Sequence, residues 1–191
     1  MNVLVVYAHP NPESYNAALF KLTCDQLAQA GHTVHPLDLY DCDFEARMSC
    51  EERISYMTKD NTRGIEDHVA KLKWAEAVVF VYPTWWMGPP AILKGWLDRV
   101  WLPGVVATFG PNGVQPGLTN IKKFLIITTQ GSSHWRMTLV GNPPRKMFKL
   151  SLKAVSKCKD IKWLALYSMD KNTEEDREQF MEKVSKHLQN F

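Results

Sequence analysis

The segment Ala77-Val78-Val79-Phe80-Val81-Tyr82-Pro83 is the most hydrophobic run in the chain. A continuous apolar run rich in β-branched residues and closed by proline reads as a strand buried on both faces, and such strands belong to parallel sheets layered between helices. Working outward from it, residues 2–8, 124–129 and 161–167 read the same way. Residues 32–39 form a weaker strand, interrupted by His35 and Pro36, which suits a place near the sheet edge. Helical segments separate these runs. The first starts near Ser14, a good N-cap, carries Phe20, Cys24 and Leu27 on one face, and stops at Gly31. Others are expected over about 62–74, 90–101 and 144–157, with a last helix capped at Asn172 or Thr173 and opened by Glu174, Glu175 and Asp176. Residues 40–61 show no clear period. Residues 103–120 hold three prolines and four glycines and are expected to form a loop, used as a lid or as one wall of a site. The alternation predicts an α/β fold: a three-layer, doubly wound parallel sheet of five strands, in one domain spanning residues 1–191. In either common strand order for such a sheet, ligands lie beyond the carboxyl ends of the strands at the switch point.

Composition narrows the function classes. Of 191 residues, 45% are hydrophobic and 23% charged, which excludes disordered, collagen-like and coiled-coil chains. Net charge is only +3, and the one basic series, Arg145, Lys149, Lys153 and Lys157, repeats at helical spacing; a solvated helix face is its simplest reading, and no nucleic-acid partner is expected. The four cysteines form no Cys-x-x-Cys pair, no secretory signal opens the chain, and no apolar stretch approaches the ~18 residues needed to span a bilayer. A cytoplasmic location is expected.

No two glycines are separated by a single residue, so Gly-x-Gly-x-x-Gly is absent; the P-loop, His-Glu-x-x-His and Gly-x-Ser-x-Gly are absent too. Strand one instead leads into His9-Pro10-Asn11-Pro12-Glu13-Ser14-Tyr15-Asn16. Helix N-terminal N–H groups, the Ser14 hydroxyl and the Asn16 amide together suit a phosphate; a plain N-cap and turn explain the same residues. After strand three comes Pro83-Thr84-Trp85-Trp86-Met87-Gly88-Pro89-Pro90. Two adjacent indoles at a strand end either pack into a core or present an aromatic platform to a flat ligand. A phosphate cradle beside such a platform points to a flavin nucleotide.

Val5-Val6-Tyr7-Ala8-His9-Pro10 with Ser14 and Asn16, the block from Pro83 to Val100, and the pair Thr128-Thr129 resemble the NAD(P)H:quinone oxidoreductase family of flavodoxin-like flavoproteins, which includes the ancillary flavoproteins of potassium efflux systems. The resemblance implies strand order 2-1-3-4-5, tightly bound FMN or FAD, NADH or NADPH as hydride donor, a quinone-like acceptor and a homodimer with the flavin near its interface. Carried over residue by residue, it implies that His9, Ser14 and Asn16, with the backbone of Ala17 and Ala18, hold the phosphate end. It puts Pro83, Thr84, Trp85, Trp86 and Met87 around the isoalloxazine, Thr128, Thr129, Gln130 and Gly131 at the pyrimidine side, and Trp86 and Phe109 as walls of the acceptor pocket.

The chain departs from the family pattern in three places. Gln130 stands where the first of two glycines is common, Ser132-Ser133-His134-Trp135-Arg136 replaces the usual tyrosine and histidine, and Ala107 takes the place of one pocket aromatic. His134 is the candidate proton donor, against its reading as a surface histidine. The expected activity is two-electron transfer from NAD(P)H through flavin to a quinone or similar planar acceptor. The alternative is a regulatory flavin-binding ancillary subunit of a membrane transporter. A one-electron flavodoxin-type carrier fits poorly, since such carriers are usually strongly acidic.

Overall fold

In a computed structural model, which describes residues 1–111 and 113–191, five parallel strands form the central sheet: β1 (Asn2–Tyr7), β2 (Thr33–Asp38), β3 (Ala77–Thr84), β6 (Lys123–Gln130) and β7 (Asp160–Leu166). Their order is β2-β1-β3-β6-β7, which, counting the sheet's strands alone, is the expected 2-1-3-4-5. Alternate residues of each strand feed opposite layers. Leu4, Val6, Val78, Phe80 and Ile126 face one core with Trp96 and Phe148, while Val3, Val5, Val79, Val81 and Leu125 face another with Leu19, Leu27 and Val184. The first layer is built by α3 (Glu66–Trp74), α4 (Ala91–Val100) and α6 (Pro143–Val155), and the second by α1 (Tyr15–Gln29) and α7 (Glu174–Leu188).

β2 is an edge strand and carries Pro36 opposite Val5, as its sequence suggested. Ser14 caps α1 by accepting from the Ala17 N–H at 3.1 Å. Of the two candidate caps for α7 it is Thr173 that serves, in a capping box with Asp176.

Three expectations are corrected. Pro83 does not end β3, which pairs with β6 through Pro83 and Thr84; β1 pairs only as far as Val81, so the missing proline N–H falls where β3 has one neighbour. The segment 103–120 is not all loop: β4 (Ala107–Gly110) and β5 (Gly113–Pro116) form an antiparallel hairpin with Phe109 opposite Val114. Gly110 and Gly113 pair at its closed end and Pro116 pairs with Ala107 at its open end. Finally, the aperiodic stretch after β2 contains α2 (Cys50–Ser55), opened by a Ser49/Glu52 capping box.

The stretch between β2 and α3 clasps α4. Arg99 donates to Glu52 Oε1 from Nε (2.8 Å) and Nη2 (2.5 Å) and from Nη1 to the Glu45 carbonyl, and its guanidinium lies 5.0 Å from the Phe44 ring centroid. Beneath it Gly95 passes so close to the other backbone that a Cβ there would sit 2.3 Å from the Ala46 carbonyl oxygen. Only glycine permits that approach. Because α4 starts immediately after the Trp85–Pro90 turn, this clasp holds the turn's downstream end.

Candidate active site

Where β1, β3 and β6 end, their connections open around a cavity of about 1010 Å³. It is lined by His9, Ser14, Tyr15 and Asn16 after β1, by Pro83, Thr84, Trp85, Trp86 and Met87 at the end of β3, and by Thr129, Gln130, Gly131 and Ser132 at the end of β6. Three segments far apart in sequence thus meet in one place, as the switch-point rule requires.

The β1 wall is the start of a helix. The first N–H groups of any helix have no intrahelical acceptor and carry the positive end of its dipole. Asn16, almost fully buried, donates from Nδ2 to Thr129 Oγ1 at 2.9 Å, and its Oδ1 has no partner. Ser14 Oγ also lies 3.3 Å from Tyr7 Oη. Burial raises the Tyr7 phenol above its ordinary pKa, with the Ser14 contact opposing and Asp38 adding to the rise. Tyr15 donates its hydroxyl to the Arg177 carbonyl at 2.6 Å, and burial pushes its pKa up to about 12. Both phenols are therefore neutral at physiological pH.

The β3 wall is a tight two-residue turn. Trp85 N–H donates to the Gly88 carbonyl at 2.9 Å and Gly88 N–H to the Trp85 carbonyl at 3.0 Å, with Trp86 at φ 47° and Met87 at φ 61° between them. A turn with both central residues left-handed normally takes Asn-Gly; a tryptophan and a methionine there cost roughly 1–2 kcal/mol each. Trp86, at 102% relative exposure, stands wholly free of the core. That excludes core packing for this indole. The Trp85 ring instead leans on His9, 6.0 Å between centroids.

At the β6 wall, Gly131 passes close to Asp170, whose Oδ2 would be 3.0 Å from a Cβ at that position. Asp170 is the only carboxylate among the lining residues, and none of them is Lys or Arg. Any anion held here is held by backbone, hydroxyl, amide or imidazole groups.

Some expected residues lie elsewhere. Thr128 is fully buried behind the wall, its Oγ1 3.0 Å from Thr84 Oγ1. The N–H groups of Ala17 and Ala18 donate to Ser14, and neither residue lines the cavity. Phe109 is exposed on the β4–β5 hairpin. His134 is the first residue of a short helix, α5 (His134–Leu139), that sequence reasoning missed; it is exposed and edge-on to Tyr167, with centroids 4.8 Å apart, rather than part of the lining. Conversely, Tyr15, Ser132, Met137, Met169 and Asp170 line the cavity without having been singled out. Only the strand-end rule applied to β7 would have flagged Met169 and Asp170, which follow that strand in a 3-10 turn.

The flavodoxin-like fold family model matches residues 1–190. Ribosyldihydronicotinamide dehydrogenase [quinone] of Pongo abelii is 33% identical over 156 residues, 73% of this chain and 67% of that protein. The chain spans between about half and two thirds of the length of the curated relatives it matches. Among solved structures, the Smu.1420 protein of Streptococcus mutans is 30% identical with a TM-score of 0.88, each chain being covered in full. The NAD(P)H:quinone oxidoreductase of Methanothermobacter marburgensis is 26% identical with a TM-score of 0.82, over 100% of this chain and 95% of that one. With its parallel sheet in 2-1-3-4-5 order and its cavity at the switch point, the chain belongs to the flavodoxin-like fold family, among relatives that include named quinone oxidoreductases.

Proposed function

We propose that the chain is a flavin-dependent NAD(P)H:quinone oxidoreductase. The observation that carries this reading is the cavity itself, with a helix N-terminus and a strained aromatic turn among its walls and no Lys or Arg in its lining. The residues fit a flavin nucleotide. His9, Ser14 and Asn16 hold the phosphate end, and the unpartnered Asn16 Oδ1 supplies an acceptor for a hydroxyl of the flavin's side chain. Pro83, Thr84, Trp85, Trp86 and Met87 border the ring system. The backbone donors of Thr129, Gln130 and Gly131 lie at the end where a reduced flavin concentrates negative charge. When bound, the flavin supplies the redox centre that takes and gives hydride. The protein's part is to hold donor and acceptor in turn over one face, to exclude water, and to offer Trp86 as an apolar wall, with Phe109, which lies outside the cavity of its own chain, left to wall a partner copy's pocket.

We further infer a homodimer, since exposed Trp86 and Phe109 would otherwise leave aromatic surface open to water. A cytoplasmic location goes with it: the four cysteines are unpaired. The deciding experiment is denaturing release and identification of the flavin, followed by steady-state oxidation of NADH and NADPH with a soluble quinone. A colourless protein that refuses added FMN and FAD would overturn the reading. A flavin-loaded protein without turnover would favour a regulatory subunit instead. Sedimentation with activity measured on dilution tests the dimer, and a fully active monomer would refute it.

A further inference from the structure

The net charge of +3 conceals a strong asymmetry. From Arg99 to Lys159 there are ten basic side chains and no acidic one, so the remainder of the chain carries −7. Much of that positive charge lies on one surface. Arg136 on α5 and Arg145, Lys146, Lys149 and Lys153 on α6 are all exposed. Among the described residues none of the five forms an ion pair. That is unlike the cations of α1, α3, α4 and α7, several of which are paired with a carboxylate one turn away.

Apolar side chains are interleaved with these charges. Leu139 is 78% exposed, Leu150 68% and Trp135 64%, with Val140 also in water. The Arg136 guanidinium lies 5.5 Å from the Trp135 ring centroid. Lys146 folds back over the α5–α6 turn, where a Cβ at Gly141 would lie 2.7 Å from its Nζ. Its charge thereby sits beside the residue that follows Leu139 and Val140, one turn before Leu150 on α6. A helix surface that needed only solubility would not expose leucines at this level between unpaired cations.

We propose that the α5–α6 face docks on an anionic lipid bilayer. Cations paired with exposed leucine, valine and tryptophan are the combination that binds such a surface, the charges meeting headgroups and the apolar side chains entering the acyl boundary. Nucleic acid would use the cations but gain nothing from Leu139 and Leu150. Met137, on the buried side of α5, lines the cavity, so the helix that carries this face also forms part of the cavity wall. Docking therefore brings α5, and with it one wall of the cavity, to the membrane, where acceptors with long apolar tails dissolve. That consequence rests on the function proposed above; the docking itself does not.

Flotation of the full chain with vesicles tests the proposal. Binding is expected to phosphatidylcholine mixed with phosphatidylglycerol and not to phosphatidylcholine alone, and it should fall as salt rises. Each basic residue near an anionic surface contributes about fivefold to partitioning, so Lys149→Gln with Lys153→Gln should lower it by more than about tenfold. Leu139→Ser with Leu150→Ser should weaken it at unchanged charge, and brominated lipid should quench Trp135. Three results would each overturn the proposal: no flotation of the parent protein, equal flotation with neutral vesicles, or preferential retention by single-stranded RNA at the same salt. So would a Lys149/Lys153 variant that floats normally but sediments as a smaller species, which would make the face an interface between copies. Flotation without quinone turnover defeats the proposed activity and leaves docking intact; turnover without flotation does the reverse.

Discussion

Asn16 and Thr129, 113 residues apart, are joined by a 2.9 Å hydrogen bond from Nδ2 to Oγ1 that ties the first turn of α1 to the end of β6. The bond orients the Asn16 amide and leaves Oδ1 as the only unsatisfied atom of that side chain. Asn16→Ala should therefore cost about 1 kcal/mol of stability; if the free Oδ1 accepts from a bound flavin, as proposed, the same change should lower flavin retention by at least about tenfold. Ser14→Ala should cost about 1 kcal/mol as a lost cap. Denaturant titration of the apoprotein beside flavin occupancy after gel filtration separates the two effects. Full occupancy in the double variant would return both residues to a purely structural role.

The turn at Trp86 and Met87 stores strain that glycine would relieve. Met87→Gly should stabilise the apoprotein by up to about 1 kcal/mol, raising Tm by roughly 2–4 °C for a chain of this size. Trp86→Gly relieves the same backbone but removes the indole proposed as a wall for the acceptor, so on that proposal KM for a planar acceptor should rise severalfold. Unchanged thermal melts in both variants would show that the turn is not strained.

Arg99 and Glu52 form a shielded pair, with side chains 11% and 22% exposed. Removing one partner, as in Glu52→Gln, leaves a largely buried charge and should cost about 3 kcal/mol. Burial would push the Glu52 carboxyl up, but the Ser49 N–H and Arg99 outweigh it and hold it below its ordinary value of 4.5. A depressed carboxyl stabilises the fold above its unfolded pKa and loses that contribution as pH falls through the folded one. The gap between parent and Glu52→Gln, read from urea midpoints, should be constant at neutral pH and close below about pH 4.5.

His68 accepts a 3.3 Å hydrogen bond at Nδ1 from Trp96 Nε1 and meets Phe44 edge-on. Burial, with Lys71 and Arg99 and against Asp67, holds the imidazole below its usual 6.5. The unfolded chain then binds the proton first, so stability is full above about pH 6.5 and declines as pH falls below it. His68→Gln should flatten that decline between pH 7.5 and 5.5, as followed by denaturant midpoints. An unchanged slope would assign the decline to other groups.

Much of this architecture is local in origin. Burial on both faces demands uninterrupted apolar residues, so residues 77–82 and their counterparts announce parallel strands without knowledge of their neighbours, and α1 is bounded locally, by the Ser14 hydroxyl cap at its start and the left-handed Gly31 after its end. The sites after β1, β3 and β6 were legible because strand ends are where such sheets bind. Ser49 with Glu52 was a readable cap for α2, obscured only by the helix's short span. Tertiary structure alone decided the rest. Exposure of Trp86, concealment of Thr128, the hairpin that carries Phe109, and the arrival of Tyr15, Met169 and Asp170 at the cavity depend on how distant segments pack. A sequence pattern records which side chains must leave water; which of them then meet is set by the relative placement of strands and helices, to which no local periodicity refers.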